Sequence, residues 1–190
     1  MIEQETKIDF EKKYNLVDPN SPIMNNPVPK FDFSNPPVDP IELVQDMVAH
    51  MKHFNGIGLS ANQLGLPYRC FVMVGEPIYA VFNPVVTGTN SEEVLMEEGC
   101  LSYPGLYLRI KRPTMIRVRF QDPNGDQVIK KFGGMTARVF LHEYEHMEGG
   151  RFHDHVSQFV LNRAKDKQMK TLTKLRRQLK KANAQQKKRR

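Results

Sequence analysis

The chain has 190 residues, 39% of them hydrophobic, which is enough for one domain with a buried core. Its two cysteines are too few for a disulfide framework and favour a reducing compartment. The N-terminus lacks the basic and apolar regions of a signal peptide, and no stretch reaches the roughly 20 apolar residues of a membrane span. We therefore expect a cytoplasmic protein with no membrane partner.

The net charge of +7 is unevenly distributed along the chain. Residues 165–190 hold twelve of the 28 Lys and Arg but only one of the 21 acids, which leaves residues 1–164 with a balance of −4. The sequence thus predicts a mildly acidic domain at 1–164, with a Pro-rich wrapping segment at 1–38, followed by a basic helical extension at 165–190.

The first predicted element is an extended segment, because seven of the thirteen prolines lie between Pro19 and Pro40. A helix start follows, with Asp39 as its cap and Pro40 in the first helical position. Apolar residues then recur every three or four positions until Gly56 ends the run, which predicts an amphipathic helix packed on a core.

The pattern changes to short β-rich runs between Cys70 and Phe132. The runs occupy residues 70–74, 79–82 and 115–120, and the last alternates apolar with basic side chains. Turn residues at 122–125 follow, which indicates a hairpin. We expect an antiparallel or mixed sheet in the middle of the chain.

Two more helices are predicted towards the C-terminus. One begins near Thr136, which can act as its cap, and runs from Ala137 to Met147 before two glycines. The last begins near Val156 and continues into the basic extension. Its apolar stripe is thin and consists of Met169, Leu172, Leu175 and Leu179.

The segment 142–146 reads His-Glu-Tyr-Glu-His, an H-E-x-x-H pattern that places two imidazoles one turn apart on a helix, where they can share a metal. The pattern alone leaves open a chance arrangement on a solvated helix. A third ligand of the better-known zinc proteases does not fit, because no Glu follows Glu148 and Phe152 stands where the extended pattern needs His. The remaining soft donor is Cys100.

Three motifs together resemble the peptide deformylase family. They are Gly-Ile-Gly-Leu-Ser-Ala-Asn-Gln at 56–63, Glu-Gly-Cys-Leu-Ser at 98–102, and the segment 142–146, in the family's order and at similar spacings. The resemblance implies an α+β fold, with short antiparallel or mixed sheets around a central metal-binding helix and a C-terminal helix.

The resemblance also implies a set of site residues. The metal ligands would be Cys100, His142 and His146, with Glu143 as the general acid and base. The Gln63 amide and the Leu101 backbone N–H would stabilise the oxyanion. The substrate-binding candidates are Gly56, Ile57, Gly58, Glu98, Gly99, Tyr107, Met135 and Val139.

The chain departs from the family pattern at several positions. Glu145 stands where the family usually has Asp, and Arg112 is the best match for the Arg expected to pair with it. Ser60 replaces the usual Ala. Leu141 replaces a frequent Gln, which indicates a divergent branch of the family. One hypothesis is that the gene is encoded by a phage. The protein would then act in the cytosol of an infected host cell, and otherwise in the bacterial cytosol.

The expected reaction is metal-dependent hydrolysis of the formyl group from formyl-methionyl nascent peptides. The donor set suits zinc on general grounds, but the family implies one Fe²⁺ per chain, with Zn²⁺, Ni²⁺ or Co²⁺ as substitutes. We expect a monomer that meets ribosomal RNA through residues 165–190. A peptidase of another type and a non-catalytic RNA- or ribosome-binding protein are the alternatives.

Overall fold

The structure is a computed structural model that describes residues 13–188. Seven strands form two antiparallel sheets, one with the order β1-β2-β3-β6-β7 and one made of β4 and β5. The helices are α1 Pro22–Asn25, α2 Pro40–His53, α3 Gly134–Met147 and α4 Gln158–Lys188, with 3-10 turns at Ala61–Leu64 and Phe152–His155. The strands are β1 Gly58–Ser60, β2 Cys70–Met73, β3 Tyr79–Thr89, β4 Glu93–Gly99, β5 Tyr107–Pro113, β6 Met115–Gln121 and β7 Gln127–Gly133.

Helix α3 lies between the two sheets and contacts both of them. It packs on β1, β2, β6 and β7 of the larger sheet and on β5 of the smaller one. Phe140, in the middle of α3, is fully buried against Phe71 of β2 and Phe132 of β7, with ring centroids 5.1 and 5.7 Å away. Full burial of one such side chain contributes roughly 1.5–3 kcal/mol, so these contacts fix the helix firmly on the sheet.

The β6–β7 hairpin shows how sequence alternation sets the register. Ile116, Val118 and Phe120 are buried while their neighbours face outward. The turn is closed by the Asp122 carboxylate, which accepts from the backbone N–H groups of residues 124 and 126 at 2.8 and 3.0 Å. The predicted hairpin is confirmed.

The predicted helices are confirmed in outline and corrected in detail. Asp39 caps α2 as expected, accepting from the amides of residues 41 and 42. The prediction that α3 starts at a Thr136 cap is wrong, because β7 runs into α3 without a loop and the helix already begins at Gly134. Helix α4 begins at Gln158 because Val156 is still extended.

The Pro-rich segment is more deeply packed than predicted. It contains the short helix α1, and its side chains Met24, Val28 and Phe31 are buried.

The predicted apolar stripe on α4 is largely exposed. Met169 and Leu175 are exposed, and the side chain of Leu179 lies outside the described part of the chain. Among residues 13–188 no helix combines the length and the apolar character needed to cross a bilayer.

Candidate metal centre

Three buried side chains converge at one end of β4 and along α3. Cys100 follows the last residue of β4, and His142 and His146 stand one turn apart on α3. One ligand atom from each residue lies within 4.8 Å of the other two. The Cys100 Sγ is 3.3 Å from the His146 Nε2. This is the only cluster of three potential metal ligands among residues 13–188.

The protonation chemistry of this cluster fits a bound cation. Burial lowers the pKa of His146 well below its usual value, which keeps it in the neutral form that a metal ligand needs. Burial also opposes protonation of His142, but Cys100 and Glu98 outweigh it and raise the pKa of His142 to about 10. The site therefore favours a positive charge between these groups. A metal held here would have three protein ligands, one fewer than the four that are usual in a structural zinc site.

Glu143 lies beside the ligands and is almost completely buried. Its Oε2 has no hydrogen-bond partner in the described part of the chain. Burial raises the pKa of Glu143 to about 7, against the smaller opposing effects of His142 and Arg112. A carboxyl group whose pKa lies near neutral pH can both accept and return a proton.

Gly58 makes room for this carboxyl group. A Cβ built on Gly58 would lie 2.9 Å from the Glu143 Cδ and closer still to its Oε1. The sequence predicts Gly58 as a substrate-binding residue, and the structure gives it a further role, since only glycine leaves space for Glu143 at this position.

A network of charges surrounds His142. The Glu98 carboxylate accepts from Arg112 Nε and Nη2 at 2.6 and 2.8 Å and from Arg138 Nη1. Its Oε2 is 3.3 Å from the His142 Nδ1, which leaves the Nε2 of that imidazole for the metal. Arg112 also donates to both oxygens of Glu145, at 2.6 and 3.0 Å. Burial would raise the pKa of Glu98, but its hydrogen bonds with His142 and Arg112 lower it to about 2.

Arg138 was missed in the sequence. Its side chain is buried and also donates to the carbonyl oxygens of Val94 and Ile110. The sequence could have indicated Arg138 by its position four residues before His142, since this spacing places both side chains on one face of α3.

Gln63 and Leu101 border the same site. The Gln63 Oε1 accepts from both the amide and the hydroxyl of Ser60 at 3.0 Å, which fixes the orientation of its amide group. The Gln63 Nε2 therefore points the other way, 3.0 Å from the Ser102 Oγ and 3.5 Å from the Cys100 Sγ. The backbone N–H of Leu101 donates to no group among residues 13–188.

A cavity of about 650 Å³ opens beside the metal cluster. All eight predicted substrate-binding residues line it. Ile57, Tyr107 and Met135 are 55%, 60% and 48% exposed, so these side chains are free to contact a ligand and are not core residues. The lining residues that the sequence did not indicate are Leu16, Phe54, Asn55, Glu97, Tyr103, Pro104, Gly105, Leu106 and Arg138.

Comparison with known proteins gives one consistent result. The family model for polypeptide deformylase matches residues 14–162. A peptide deformylase of Thermotoga petrophila is 40% identical over 133 residues, which cover 69% of this chain and 77% of that protein. The crystal structure of a Synechococcus elongatus peptide deformylase in complex with actinonin has a TM-score of 0.77 at 29% identity, over 83% of this chain and 87% of that one. For the Thermotoga maritima peptide deformylase the TM-score is 0.67 at 35% identity, over 76% and 97%.

Proposed function

The chain belongs to the peptide deformylase family of metal-dependent hydrolases, whose substrates are formyl-methionyl peptides, and we propose how its own residues release the formyl group as formate. The observation that carries the proposal is the convergence of Cys100, His142 and His146 with the buried Glu143 at the wall of a cavity. A structural metal site would have four protein ligands and no need of such a cavity.

We infer that the three ligands hold one ferrous ion, which the family resemblance favours, and that Zn²⁺, Ni²⁺ or Co²⁺ can replace it. Cys100, His142 and His146 would hold such an ion, which would supply a Lewis acid for the formyl carbonyl and for a water molecule. Rapid loss of activity in air, prevented by replacing iron with nickel or cobalt, would support iron. Full activity with zinc alone would contradict it.

Glu143 moves the protons in the proposed reaction. Its carboxylate takes a proton from the attacking water and then delivers a proton to the amine nitrogen that leaves. The pKa of about 7 suits both steps, because neither form of the carboxyl group is strongly favoured at neutral pH. The buried position of Glu143 also keeps bulk water from competing for the proton.

Two donors are available for the oxygen that becomes negative when water adds to the formyl carbon. The Leu101 N–H has no partner of its own in the described residues, and the Gln63 amide is held by Ser60 with its Nε2 between Ser102 and Cys100. We assign the oxyanion to these two donors. Loss of one such donor typically costs roughly 100- to 1000-fold in rate.

The apolar part of the cavity fits the methionine side chain of the substrate. Ile57, Tyr107 and Met135 leave large fractions of apolar surface exposed, and Val139 lies half-buried on α3 beside them. Each methylene buried there contributes about 0.8 kcal/mol, so a formylated glycine should bind much more weakly than formyl-methionine.

Formate release from a formyl-Met peptide by anaerobically prepared, metal-loaded protein tests the assignment. A Glu143→Gln variant should bind metal but lose at least about 100-fold in kcat, since general acid–base catalysis contributes roughly 10²–10⁴-fold. Glu148→Gln is the matched control, because Glu148 is exposed and pairs with Arg69 at the surface. Cleavage of internal peptide bonds without formate would contradict the proposal and support a peptidase.

We propose that the chain divides after residue 164 into a catalytic domain and a basic extension at 165–190. We also propose that the extension binds ribosomal RNA. Ten of its twelve Lys and Arg lie on the long helix α4, and Lys174, Arg176 and Arg177 are exposed. Arg189 and Arg190 lie outside the described residues. The Gln168 side chain, however, donates to the Pro104 carbonyl at the cavity wall, at 2.7 Å. The informative truncation is therefore of residues 172–190, which removes nine of the twelve Lys and Arg but keeps this hydrogen bond.

This truncation should weaken ribosome binding and flatten its salt dependence. Each phosphate that the helix no longer neutralises reduces the slope of log K against log[salt] by about 0.7 to 0.9. Activity on short formyl peptides should be unchanged. Ribosome affinity equal to that of the full chain would contradict the proposal.

We also predict that the protein is a monomer. Light scattering of the metal-loaded protein checks this prediction.

A further inference from the structure

The 3-10 turn Phe152–His155 packs against the metal helix from outside the cavity. Phe152 is fully buried, and its ring centroid is 5.7 Å from that of His142. The turn is closed on itself, since Asp154 N donates to the Arg151 carbonyl at 2.8 Å and the Asp154 carboxylate accepts from Arg151 N at 3.2 Å. The last residue of the turn, His155, is therefore held in a defined position relative to α3.

The His155 imidazole contacts the carboxylate of Glu145, which lies between His142 and His146 in the sequence. The His155 Nε2 is 2.6 Å from the Glu145 Oε1, and that same oxygen accepts from Arg112 Nη1 at 2.6 Å. The Glu145 side chain is 23% exposed, so water has access to it, whereas Arg112 is 3% exposed. Glu145 has three side-chain torsions, and His155 holds its carboxylate in the one orientation that faces Arg112.

From Arg112 the contacts continue to the metal site without a gap. The guanidinium holds Glu98 through two hydrogen bonds of 2.6 and 2.8 Å, and the Glu98 Oε2 contacts the His142 Nδ1 at 3.3 Å. Groups that contact the outer nitrogen of a metal-bound imidazole fix its orientation and tune its affinity for the metal. Every link after His155 is at least three-quarters buried, so the geometry is not free to relax into solvent.

We propose that His155 is a positioning residue for the metal site, which acts by holding Glu145 on Arg112 and thereby sets Glu98 and the His142 ring. The sequence alone indicates an ordinary surface or helix-entry histidine here. The activity readout of the proposal rests on the proposed function, but its metal-affinity readout does not, because that affinity is measured without substrate.

The test compares His155→Ala with His155→Gln, in which the side-chain amide can still donate to Glu145. The affinity for Co²⁺ is measured by competition with a chelator, and the absorption of the cobalt–thiolate centre reports its geometry. Changes around a metal-bound histidine typically cost roughly 10- to 100-fold in affinity, and we expect about 10-fold for the Ala variant because His155 acts through three intermediates. The cobalt spectrum should shift, kcat should fall with KM unchanged, and the Gln variant should recover most of each loss.

A Glu145→Ala background separates positioning from a general structural role. If His155 acts through Glu145, then His155→Ala should have little further effect on Co²⁺ affinity once the side chain at 145 can no longer accept a hydrogen bond. The proposal is overturned if His155→Ala leaves Co²⁺ affinity and spectrum unchanged. It is also overturned if the loss is as large in the Glu145→Ala background. Wild-type metal binding with no formate release in any variant would contradict the proposed function and not this inference.

Discussion

A single methyl group at Gly58 should disable the general base without disturbing the metal. The Cβ of Gly58→Ala would lie 2.9 Å from the Glu143 Cδ, closer than real Cβ atoms approach other heavy atoms, and 3.0 Å from its Cγ, which is tighter than most real Cβ contacts. The Glu143 carboxyl group must therefore shift by roughly 1 Å, and a misplacement of about that size can cost 10²-fold in rate. We expect kcat to fall about 100-fold.

Formate release gives kcat, and chelator competition gives the metal affinity, which should stay within about threefold because the three heavy atoms nearest to the added Cβ all belong to Glu143 and none to a metal ligand. The cost in folding stability should be roughly 1–3 kcal/mol, as for other overpacked positions. Gly88→Ala is the control, since its Cβ would meet only the Arg117 Cβ at an ordinary 3.9 Å. A kcat within threefold of wild type, or an equal further loss when Gly58→Ala is added to Glu143→Gln, would refute the reasoning.

Three other predictions follow from the same surroundings. In the metal-free protein the folded-state pKa of Glu143, about 7, lies above its unfolded value of 4.5, so its contribution to stability is full below pH 4.5 and is lost as pH rises through 7. Glu143→Gln should therefore stabilise the metal-free protein at pH 8 by up to about 3 kcal/mol and have little effect at pH 4, as thermal unfolding will show. Glu98→Gln should destabilise the fold by about 3 kcal/mol in urea unfolding, because Arg112 loses its most buried partner. Ser60→Ala removes one hydrogen bond to Gln63 but leaves the one from its backbone, so kcat should fall by less than about tenfold.

The sequence predicted elements whose signals are local. Asp39 and Pro40 mark the start of α2 because a cap and a fixed φ act within one turn. The alternation of β6 and the turn at 122–126 predicted the hairpin for the same reason. Strands β4 and β5 were not predicted individually. β4 has only one buried side chain, Glu98, and so shows no apolar alternation, whereas β5 alternates and its signal was missed.

The sequence could not predict those parts of the site that depend on contacts between distant parts of the chain. The motifs indicated the residues of the metal cluster, and the structure brings them together with all the predicted cavity residues. Leu16 lines the same cavity although it lies 40 residues before the first motif, and no local pattern marks it. His155 likewise meets Glu145 only because the 3-10 turn folds back on α3. Tertiary ion pairs of this kind have no fixed spacing in sequence.

The direct junction between β7 and α3 limits how the gene can change in length. Gly133 pairs with Met115 at the end of the sheet, and Gly134, with φ +56°, turns the chain straight into the helix. Insertion or deletion of one codon between Gly133 and His142 would rotate the histidines by about 100° relative to the sheet, since a helix has 3.6 residues per turn. The turn at 122–126 lies at the far end of both strands and can absorb such changes. Length differences among homologous genes should therefore accumulate in that turn and be absent from the codons that join β7 to the metal helix.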